Sequence, residues 1–457
     1  MKTEEKLNLT MLCDFYELTM GNGYFRAGLQ DRITYFDVFF RNVPDNGGVA
    51  GCAGLEQLVQ YIQNLHFDEE DIAFLRDKHL FSEDFLSYLR DFRFTGDIWA
   101  VPEGTPIFPR EPVVTVRAPA IQAQLIETFT LLTINHQSLI ATKANRIVRA
   151  AQGRTVLEFG SRRAQGADAA IIGARAAYIG GVAGTACTIS DQIYGVPAGG
   201  TMAHAWVQMF DSEYDAFKTY CQIYPHNATL LVDTYNTLKS GVPNAIRAFN
   251  EVLKPMGITK CGIRLDSGDM AYLTRKARKM LDEAGWTECQ ISVSNSLDEY
   301  LIQDLLLQDA KIDLFGVGER MITAKSEPVF GGVYKLAAVE DQQGNTDQVV
   351  EMFNEDFKTN DIWKHFDAVK NGRVYDLTYE NFGMSATFRY PKALDELQPI
   401  LYPESDEDLE KAKKNSENAQ KNAEKSNATQ KYEDAQKSGT SGKTAAEDSQ
   451  KTTEKEK

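Results

Sequence analysis

One histidine stands where a side chain could carry group-transfer chemistry. His204, one of six histidines in the chain, follows a Gly-Gly-Thr turn in the stretch GGTMAHAWVQMF (199–210). Imidazole is a nucleophile and a proton acceptor near neutral pH, so a histidine beside a turn can transfer a group or a proton. A lone histidine before an apolar run is more often a hydrogen-bonded core residue. The surroundings of His204 must decide between the two.

Polar residues and glycines follow a series of short apolar segments between residues 154 and 336. The predicted strands are TVLEFG, VPAGG, ATLLVD, CGIRLD, QISVS, IDLFGVG and GVYKL, and helical patterns separate them. We therefore predict an irregular, mostly parallel, TIM-like α/β barrel, in which all strand ends meet on one ligand-binding rim. An open doubly wound sheet ranks second. The residues that follow the strands are Ser161, Arg162, Arg163, Thr201, His204, Thr234, Asp266, Ser267, Asp269, Ser294, Asn295, Gly316, Gly318 and Arg320.

Two adjacent arginines begin the segment SRRAQGAD (161–168) after the first of these strands. The guanidinium groups of Arg162 and Arg163 match the geometry of phosphate and carboxylate, and the start of a helix adds backbone N–H donors. The alternative is a surface pair that bridges to acidic residues elsewhere. The position at a strand end favours ligand binding.

The segment RLDSGDMAY (264–272) brings a cation and two carboxylates into one strand-to-helix turn. Asp266 and Asp269 could hold sugar hydroxyls or Mg²⁺ beside Arg264, while Ser267 and Gly268 expose backbone amides to an anion. Asp269 taken alone could be only a helix N-cap.

Two glycine-rich turns suit the close approach of a phosphate group. Gly316 and Gly318 lie in FGVGERM, and Gly331 and Gly332 lie in FGGVYK. Glu319 places a carboxylate beside the first turn, so we expect it to point away from a phosphate or to meet a metal ion. The sequence contains neither a Walker A motif nor a G-x-G-x-x-G fingerprint, and no Ser-His-Asp order can be defended.

Composition bounds the organisation of the chain. The 457 residues, 43% of them apolar, are enough for a sizeable core and more than one domain. We predict an N-terminal α/β domain at 1–120, a catalytic barrel at 121–340, a C-terminal segment of uncertain fold at 341–404, and a disordered polar tail at 405–457. The tail is almost devoid of large apolar side chains and cannot offset its ordering entropy.

Charge and cysteine content exclude several classes of protein. A net charge of −16 argues against nucleic acid and anionic membranes as partners, because both require a basic surface. The six cysteines form no C-x-x-C pair, so neither a disulfide framework nor a zinc site is indicated. With no long apolar run and no signal-peptide pattern, we expect a cytoplasmic protein.

Six ordered motifs over roughly residues 8–340 closely resemble the nicotinate phosphoribosyltransferase family. They are DFYELTMGNGYF, EFGSRRAQGAD, GGTMAHAW, LLVDTYNTLKSGVPNAI, GIRLDSGDMAYL and DLFGVGERMITAKSEPVFGGVYKL. The resemblance implies an irregular barrel joined to an N-terminal domain, and a homodimer whose site is partly completed across the interface. It also implies that nicotinate and 5-phosphoribosyl 1-diphosphate react to nicotinate mononucleotide and diphosphate, with Mg²⁺ and with coupled ATP hydrolysis.

The resemblance further implies a role for individual residues. In the family, ATP phosphorylates the histidine of the G-T-x-A-H motif, which is His204 here. Tyr16 and Phe159 would sandwich the pyridine ring, and their faces exclude water. The remaining implied contacts are Arg162 and Arg163 with carboxylate and phosphate, Arg264 and Asp266 with diphosphate and ribose, Thr201, Ser267 and Gly268 with substrate, and Gly316, Gly318, Gly331 and Gly332 with the 5-phosphate.

One part of the family pattern is missing, and three alternatives stay open. The lysine-rich K-x-S and T-x-P-G elements are not recognisable after Leu336, where EMFNEDFKTNDIWKHFDAVKNG follows instead. Nicotinamide phosphoribosyltransferase shares several motifs, but the doubled arginine favours an acid over an amide. Quinolinate phosphoribosyltransferase would need more basic residues and no histidine at position 204. A catalytically silent barrel that senses a phosphorylated metabolite is the alternative outside the enzymes.

Overall fold

The computed structural model describes residues 8–340 and 346–348. Apart from the strand Thr346–Gln348, the predicted C-terminal segment 341–404 and the predicted tail 405–457 lie outside the described residues. The structure therefore leaves both predictions untested, and the predicted division at residue 120 also stays a prediction.

The first part of the chain builds an antiparallel sheet beside a layer of helices. The stretch ITYFDVFF is rich in β-branched and aromatic residues, which favour strands, and it forms the middle strand of the five-stranded sheet. The elements are α1 (Phe15–Arg26), β1 (Ile33–Phe40), β2 (Ala50–Gly51), α2 (Leu55–Asn64), α3 (Glu69–Asp77), α4 (Glu83–Arg90), β3 (Asp97–Ala100), β4 (Pro106–Ile107), β5 (Val114–Pro119), α5 (Ala120–Gln124) and α6 (Glu127–Ala150).

The later elements alternate between strands and helices. They are β6 (Thr155–Glu158), α7 (Ala167–Ile179), β7 (Gly184–Thr185), α8 (Thr188–Tyr194), α9 (His204–Gln208), α10 (Glu213–Ile223), β8 (Thr229–Leu231), α11 (Val242–Ala248), β9 (Gly262–Leu265), α12 (Met270–Glu283), β10 (Gln290–Ser294), α13 (Glu299–Leu307), β11 (Leu314–Val317), α14 (Glu319–Ile322), β12 (Gly332–Glu340) and β13 (Thr346–Gln348). Short 3₁₀ or π turns lie at Leu9–Met11, Pro44–Asn46, Ser161–Arg163, Pro225–Asn227, Thr237–Gly241, Phe249–Leu253 and Lys254–Met256.

The six strands β6 to β11 form a parallel sheet in the order β7-β6-β11-β10-β9-β8. β6 pairs with both β7 and β11, so the first strand of the series lies beside the last. The strand interiors, for example Val156, Ile263 and Phe315, are buried, as expected for strands covered by helices. The structure thus confirms a mixed α/β fold with a parallel sheet and an N-terminal antiparallel sheet.

Two strand predictions are wrong. The stretch VPAGG forms no strand and contributes one isolated bridge, between Ala198 and Thr185. The stretch GVYKL does form a strand, β12, but it pairs antiparallel with β1 in the N-terminal sheet and not in the parallel sheet. A local apolar pattern specifies a strand but not its partner, and here a stacked ring pair, Phe36 on Tyr334 at 4.7 Å, stabilises the pairing.

Helix α6 is the longest described helix, and two of its side chains are used in the site described below. Its buried residues run from Phe129 to Ala150 along several faces, because α2, α7, α13 and β12 all pack against it. The ring of Phe129 stacks on Tyr61 at 3.8 Å. A helix enclosed in this way is a rigid support for side chains that project from it. Within the described ranges, no helix is long and apolar enough to cross a bilayer.

A buried carboxylate connects the first turns of α1 and α6. Glu17 Oε1 accepts hydrogen bonds from the N–H of Asp14, at 3.3 Å, and from the N–H of Thr128, at 3.2 Å. Burial raises the pKa of Glu17 from its ordinary 4.5 to about 7, with a smaller contribution from the charge of Glu127 and against the effect of the hydrogen bonds. Between pH 4.5 and about pH 7, the folded state therefore keeps this carboxyl group protonated, whereas the unfolded state has already released the proton.

This linkage predicts how Glu17→Gln changes stability with pH. Because the pKa is raised on folding, wild-type stability falls as pH rises from about 4.5 through about 7, whereas glutamine stays neutral. The free energy of unfolding of the variant relative to wild type should increase between pH 5 and pH 8 by roughly 2 kcal/mol, the order set by about two pH units of linkage in that window. Urea unfolding at both pH values measures it, with Glu70→Gln at an exposed position as the control. A pH-independent difference would contradict the prediction.

Candidate active site

His204 is the first residue of α9 and faces the ends of two strands. Its side chain is 40% exposed, so it is not a buried core histidine. Its Nδ1 lies 3.0 Å from Oγ1 of Thr234, which follows β8, and its Nε2 lies 4.0 Å from Oδ2 of Asp266, which follows β9. The structure thus brings together three of the residues that the sequence places at strand ends.

Asp233 organises the turn after β9, and the sequence analysis missed it. Its Oδ2 accepts hydrogen bonds from the N–H of Asp266, at 2.8 Å, and from the hydroxyl of Ser267, at 2.6 Å. Its Oδ1 is buried and has no protein partner. Its position at the end of the strand pattern ATLLVD could have identified it, but the sequence analysis chose only the next residue, Thr234, as a candidate.

The next strand, β10, completes the support of Asp266. Ser294 at its end donates a hydrogen bond to Oδ1 of Asp266, and Asn295 Nδ2 donates to the Asp266 carbonyl at 3.0 Å. Asn295 and Ser296 both have positive φ, 90° and 52°, which is uncommon outside glycine. The turn thus holds the Asn295 amide against the β9 loop, and Asp266 keeps Oδ2 facing His204.

Arg264 connects β9 to the loop that precedes His204. Its Nη1 donates to Thr201 Oγ1 at 2.6 Å and its Nη2 to the Met202 carbonyl at 2.7 Å, while its Nε is buried without a partner. Burial lowers the pKa of Arg264, with a smaller contribution from the positive charge of Arg162. The guanidinium group therefore fixes the 201–202 loop in this structure.

The two arginines after β6 are exposed and form a cationic edge. Arg162 and Arg163 lie in the turn Ser161–Arg163, and within the described part of the chain neither side chain forms a hydrogen bond or an ion pair. The surface-pair alternative, in which they bridge to acids, therefore finds no support there. Glu319, expected to point away or to meet a metal, instead accepts a hydrogen bond from Lys325 at 2.7 Å. This ion pair keeps its charge compensated, and it lowers the pKa of Glu319.

Phe159 packs directly over the first glycine-rich turn. A Cβ atom at Gly316 would lie 2.5 Å from ring atoms of Phe159, and one at Gly318 would lie 2.9 Å from the Phe159 carbonyl oxygen. Both glycines are thus required for packing, whether or not they also approach a phosphate. Below the ring, the fully buried Glu158 accepts hydrogen bonds from Thr185 Oγ1, at 2.6 Å, and from the Gly160 N–H.

Tyr16 lies in the first turn of α1. Burial, with a hydrogen bond and the charge of Glu127, raises the pKa of Tyr16, and its side chain is partly exposed. Among the described residues of one chain no direct ring contact joins Tyr16 to Phe159, and a sandwich with a pyridine ring between them would not require one. The aromatic sandwich therefore stays a prediction.

The second glycine-rich turn is bonded to α6. The N–H of Gly332 donates to Asn135 Oδ1 at 3.1 Å, so in this conformation that amide is already occupied. Gly331 has φ of 71° and open space where a Cβ would lie. Gly331 thus has both the backbone conformation and the space that a turn around a ligand needs.

The acidic residues fit a magnesium ion that is shared with substrate. Asp269 Oδ1 accepts from the Tyr272 N–H at 3.0 Å as the N-cap of α12, and Gly268 before it has φ of 90°. No group of three His, Cys, Asp or Glu side chains in the described residues is arranged to hold a metal. Mg²⁺ is commonly held by one or two carboxylates plus substrate phosphates, so Asp233 Oδ1 and Asp266 Oδ2 suit it.

Comparison with known proteins identifies the family of the chain. Residues 11–135 match the family model described as the nicotinate phosphoribosyltransferase (NAPRTase) N-terminal domain. The chain is 45% identical to nicotinate phosphoribosyltransferase of Bacillus subtilis (strain 168) over 344 residues, which is 75% of this chain and 69% of that protein.

Two solved structures are similar as well. Human nicotinic acid phosphoribosyltransferase gives a TM-score of 0.64 at 29% identity, covering 71% of this chain and 74% of that one. Nicotinate-nucleotide pyrophosphorylase from Pyrococcus furiosus gives 0.59 at 25%, covering 76% and 79%. The chain belongs to the nicotinate phosphoribosyltransferase family.

Proposed function

We propose that this enzyme joins nicotinate to 5-phosphoribosyl 1-diphosphate, forming nicotinate mononucleotide and diphosphate for NAD biosynthesis, with ATP hydrolysis coupled through a phosphohistidine at His204. The observation that carries the proposal is the arrangement of His204 between Thr234 and Asp266, with Arg264 fixing the loop that precedes it. A half-exposed histidine held at the carboxyl ends of parallel strands is placed for chemistry on a bound ligand.

The strand order supports a barrel over an open doubly wound sheet. Around the sheet the strands follow chain order, and β11 returns to pair with β6. The one interruption lies between β7 and β8, where the Ala198 bridge to Thr185 extends the β7 side. Strand ends gathered in a ring place the arginines after β6 and the acids after β8 and β9 around one opening.

His204 is proposed to take the γ-phosphoryl group of ATP. When Nδ1 carries the proton and donates to Thr234, Nε2 retains the lone pair that attacks phosphorus, and ADP leaves. Hydrolysis of the phosphohistidine later returns free imidazole and inorganic phosphate. The added negative charge attracts the cationic and metal-binding groups around the site and shifts its affinity for phosphoribosyl diphosphate.

The glycosyl step needs alignment and charge stabilisation more than a protein nucleophile. Cationic character develops at the ribose, so the residues must hold the pyridine nitrogen in line and accept the departing diphosphate. Arg162 and Arg163 would bind the nicotinate carboxylate and a phosphate, and Phe159 would pack on the pyridine ring. Mg²⁺, held through Asp266 with Asp269 or Asp233 nearby, would neutralise charge on the diphosphate.

The aromatic sandwich is proposed to form in a homodimer. Tyr16 leaves part of its ring accessible on α1. A second copy of the chain that supplies Tyr16 would close the pyridine site from the opposite side and exclude water.

Each alternative function lacks one chemical feature of the proposed reaction. A nicotinamide substrate would not need two uncompensated arginines after β6, and a sensing barrel would not be labelled by ATP. An assay of nicotinate mononucleotide formation, run with and without ATP, tests the proposed reaction directly. Failure of the purified protein to form the product under either condition would reject it.

Replacing either arginine is expected to weaken substrate binding. Arg162→Ala and Arg163→Ala should each raise KM for nicotinate or phosphoribosyl diphosphate about ten- to a hundredfold, because each removes a charge-assisted contact of roughly 1.5–3 kcal/mol. Steady-state kinetics measure both constants, and Arg32→Ala, at another exposed arginine, is the matched control. Unchanged Michaelis constants in both variants would show that the two arginines take no part in substrate binding.

His204→Ala should separate ATP use from the glycosyl step. The variant is expected to lose ATP hydrolysis and ATP stimulation while it still forms nicotinate mononucleotide slowly at saturating phosphoribosyl diphosphate. Turnover with ATP present and absent measures this, with His226→Ala, an exposed histidine, as control. If ATP stimulated the His204→Ala variant as strongly as wild type, His204 would not be the phosphorylated residue.

A further inference from the structure

The loop 323–331 joins α14 to β12 and leads into the second glycine-rich turn of the proposed phosphate site. It contains no helix or strand, and residues 325–329 are exposed. Apolar packing anchors its two ends, through the buried Ala324 and through the Phe330 ring, which lies 4.6 Å from Phe40. Polar contacts must therefore set the shape of its exposed part.

A buried lysine of α6 lies under this loop. Lys143, with a side chain only 3% exposed, donates hydrogen bonds to Ser326 Oγ at 2.7 Å, Glu299 Oε1 at 2.8 Å and Asp45 Oδ2 at 3.0 Å. Ser326 Oγ in turn donates to Asp45 Oδ2 at 2.9 Å. The backbone N–H of Asp45 donates to the next loop residue, Glu327, at 2.5 Å.

The inner part of this cluster pairs two cations with two carboxylates, and the exposed Glu327 carboxylate lies at its edge. Arg146, one turn of α6 beyond Lys143, lies 3.3 Å from Glu299 and 3.7 Å from Asp45, so two cations face two carboxylates. Desolvation would raise the pKa of Asp45, but the hydrogen bonds from Ser326 and Lys143 outweigh it and lower the pKa. Asp45 has φ of 56°, a left-handed conformation that aspartate tolerates better than most residues. Because buried charges are costly unless paired, this geometry is narrowly defined.

The other end of the loop is bound by a second residue of α6. Asn135 lies eight positions before Lys143, about 12 Å along the helix, and its Oδ1 accepts from the Gly332 N–H at 3.1 Å. A Cβ at Gly332 would lie 2.1 Å from that oxygen, so the contact requires glycine. Both contacts come from one enclosed helix, and they bracket the loop.

We propose that Lys143 and Asn135 are positioning residues for the phosphorylated end of phosphoribosyl diphosphate, acting by holding the 323–332 loop against α6. This inference rests on the proposed function, which places the 5-phosphate at the glycine-rich turns. Neither side chain needs to touch the substrate. They fix the course of the loop and with it the direction of the Gly331 amide, next to the Gly332 amide that Asn135 occupies. A donor held in place in advance binds an anion with less ordering cost.

Ser326→Ala tests the first contact without unpairing a buried charge, because Lys143 keeps both carboxylate partners. It should raise KM for phosphoribosyl diphosphate roughly three- to tenfold, the usual range for one hydrogen bond. KM for nicotinate and kcat should stay within about twofold. Ser326→Thr should restore the wild-type value, and Ser87→Ala on α4 is the control. Equal increases in both Michaelis constants would show a merely structural role and overturn the proposal.

Asn135→Ala tests the second contact by binding alone. Calorimetric titration with ribose 5-phosphate should show weaker binding in Asn135→Ala and in Ser326→Ala, and unchanged binding in Asn64→Ala, an exposed asparagine on α2. Wild-type affinity in both loop variants of an active enzyme would overturn the inference. If wild type binds ribose 5-phosphate, the variants bind it less well, and no nicotinate mononucleotide forms, the positioning role stands and the proposed reaction fails.

Discussion

The parallel pairing of β6 with β11 is the constraint on which the site depends. It aligns Val317 with Glu158 and Gly316 with Leu157, so the chain after β6 passes directly over the turn after β11. Phe159 can lie there only because residue 316 has no Cβ. Once this pair is fixed, the arginines after β6 and the glycines after β11 share one edge, and β10, β9 and β8 continue it toward His204.

Charge is managed locally in a protein whose overall charge is −16. A long-range field of that sign repels anionic substrates, so the site must provide its own cations. Arg162 and Arg163 are exposed without protein partners in the described residues, and Lys325 compensates Glu319 beside the phosphate turn. The buried Lys143 and the half-buried Arg146, by contrast, lie against Glu299 and Asp45.

Support of the site comes from elements that are distant in sequence. Asp233 on one strand end holds the turn of the next, Ser294 and Asn295 hold Asp266 from the other side, and Arg264 reaches the loop before His204. Asp266 is thus held by side chains that follow both neighbouring strands, β8 and β10. Helix α6 also contacts a segment distant in sequence: Asn135 and Lys143 bind the loop 323–331 and the Gly332 amide that follows it.

The sequence by itself determined the local features of this protein. Strand patterns followed by polar residues located β6, β8, β9, β10 and β11, and the motifs around His204, Arg162 and Asp266 identified the family, because apolar periodicity and residue type are encoded within a few positions. Tertiary structure decided what depends on pairing between distant segments. It assigned β12 to the N-terminal sheet, brought Asp233 under Asp266, paired Glu319 with Lys325 and gave the Gly332 amide to Asn135. Such contacts depend on which surfaces meet after folding, and no local pattern specifies the partner of a strand edge or of a charge.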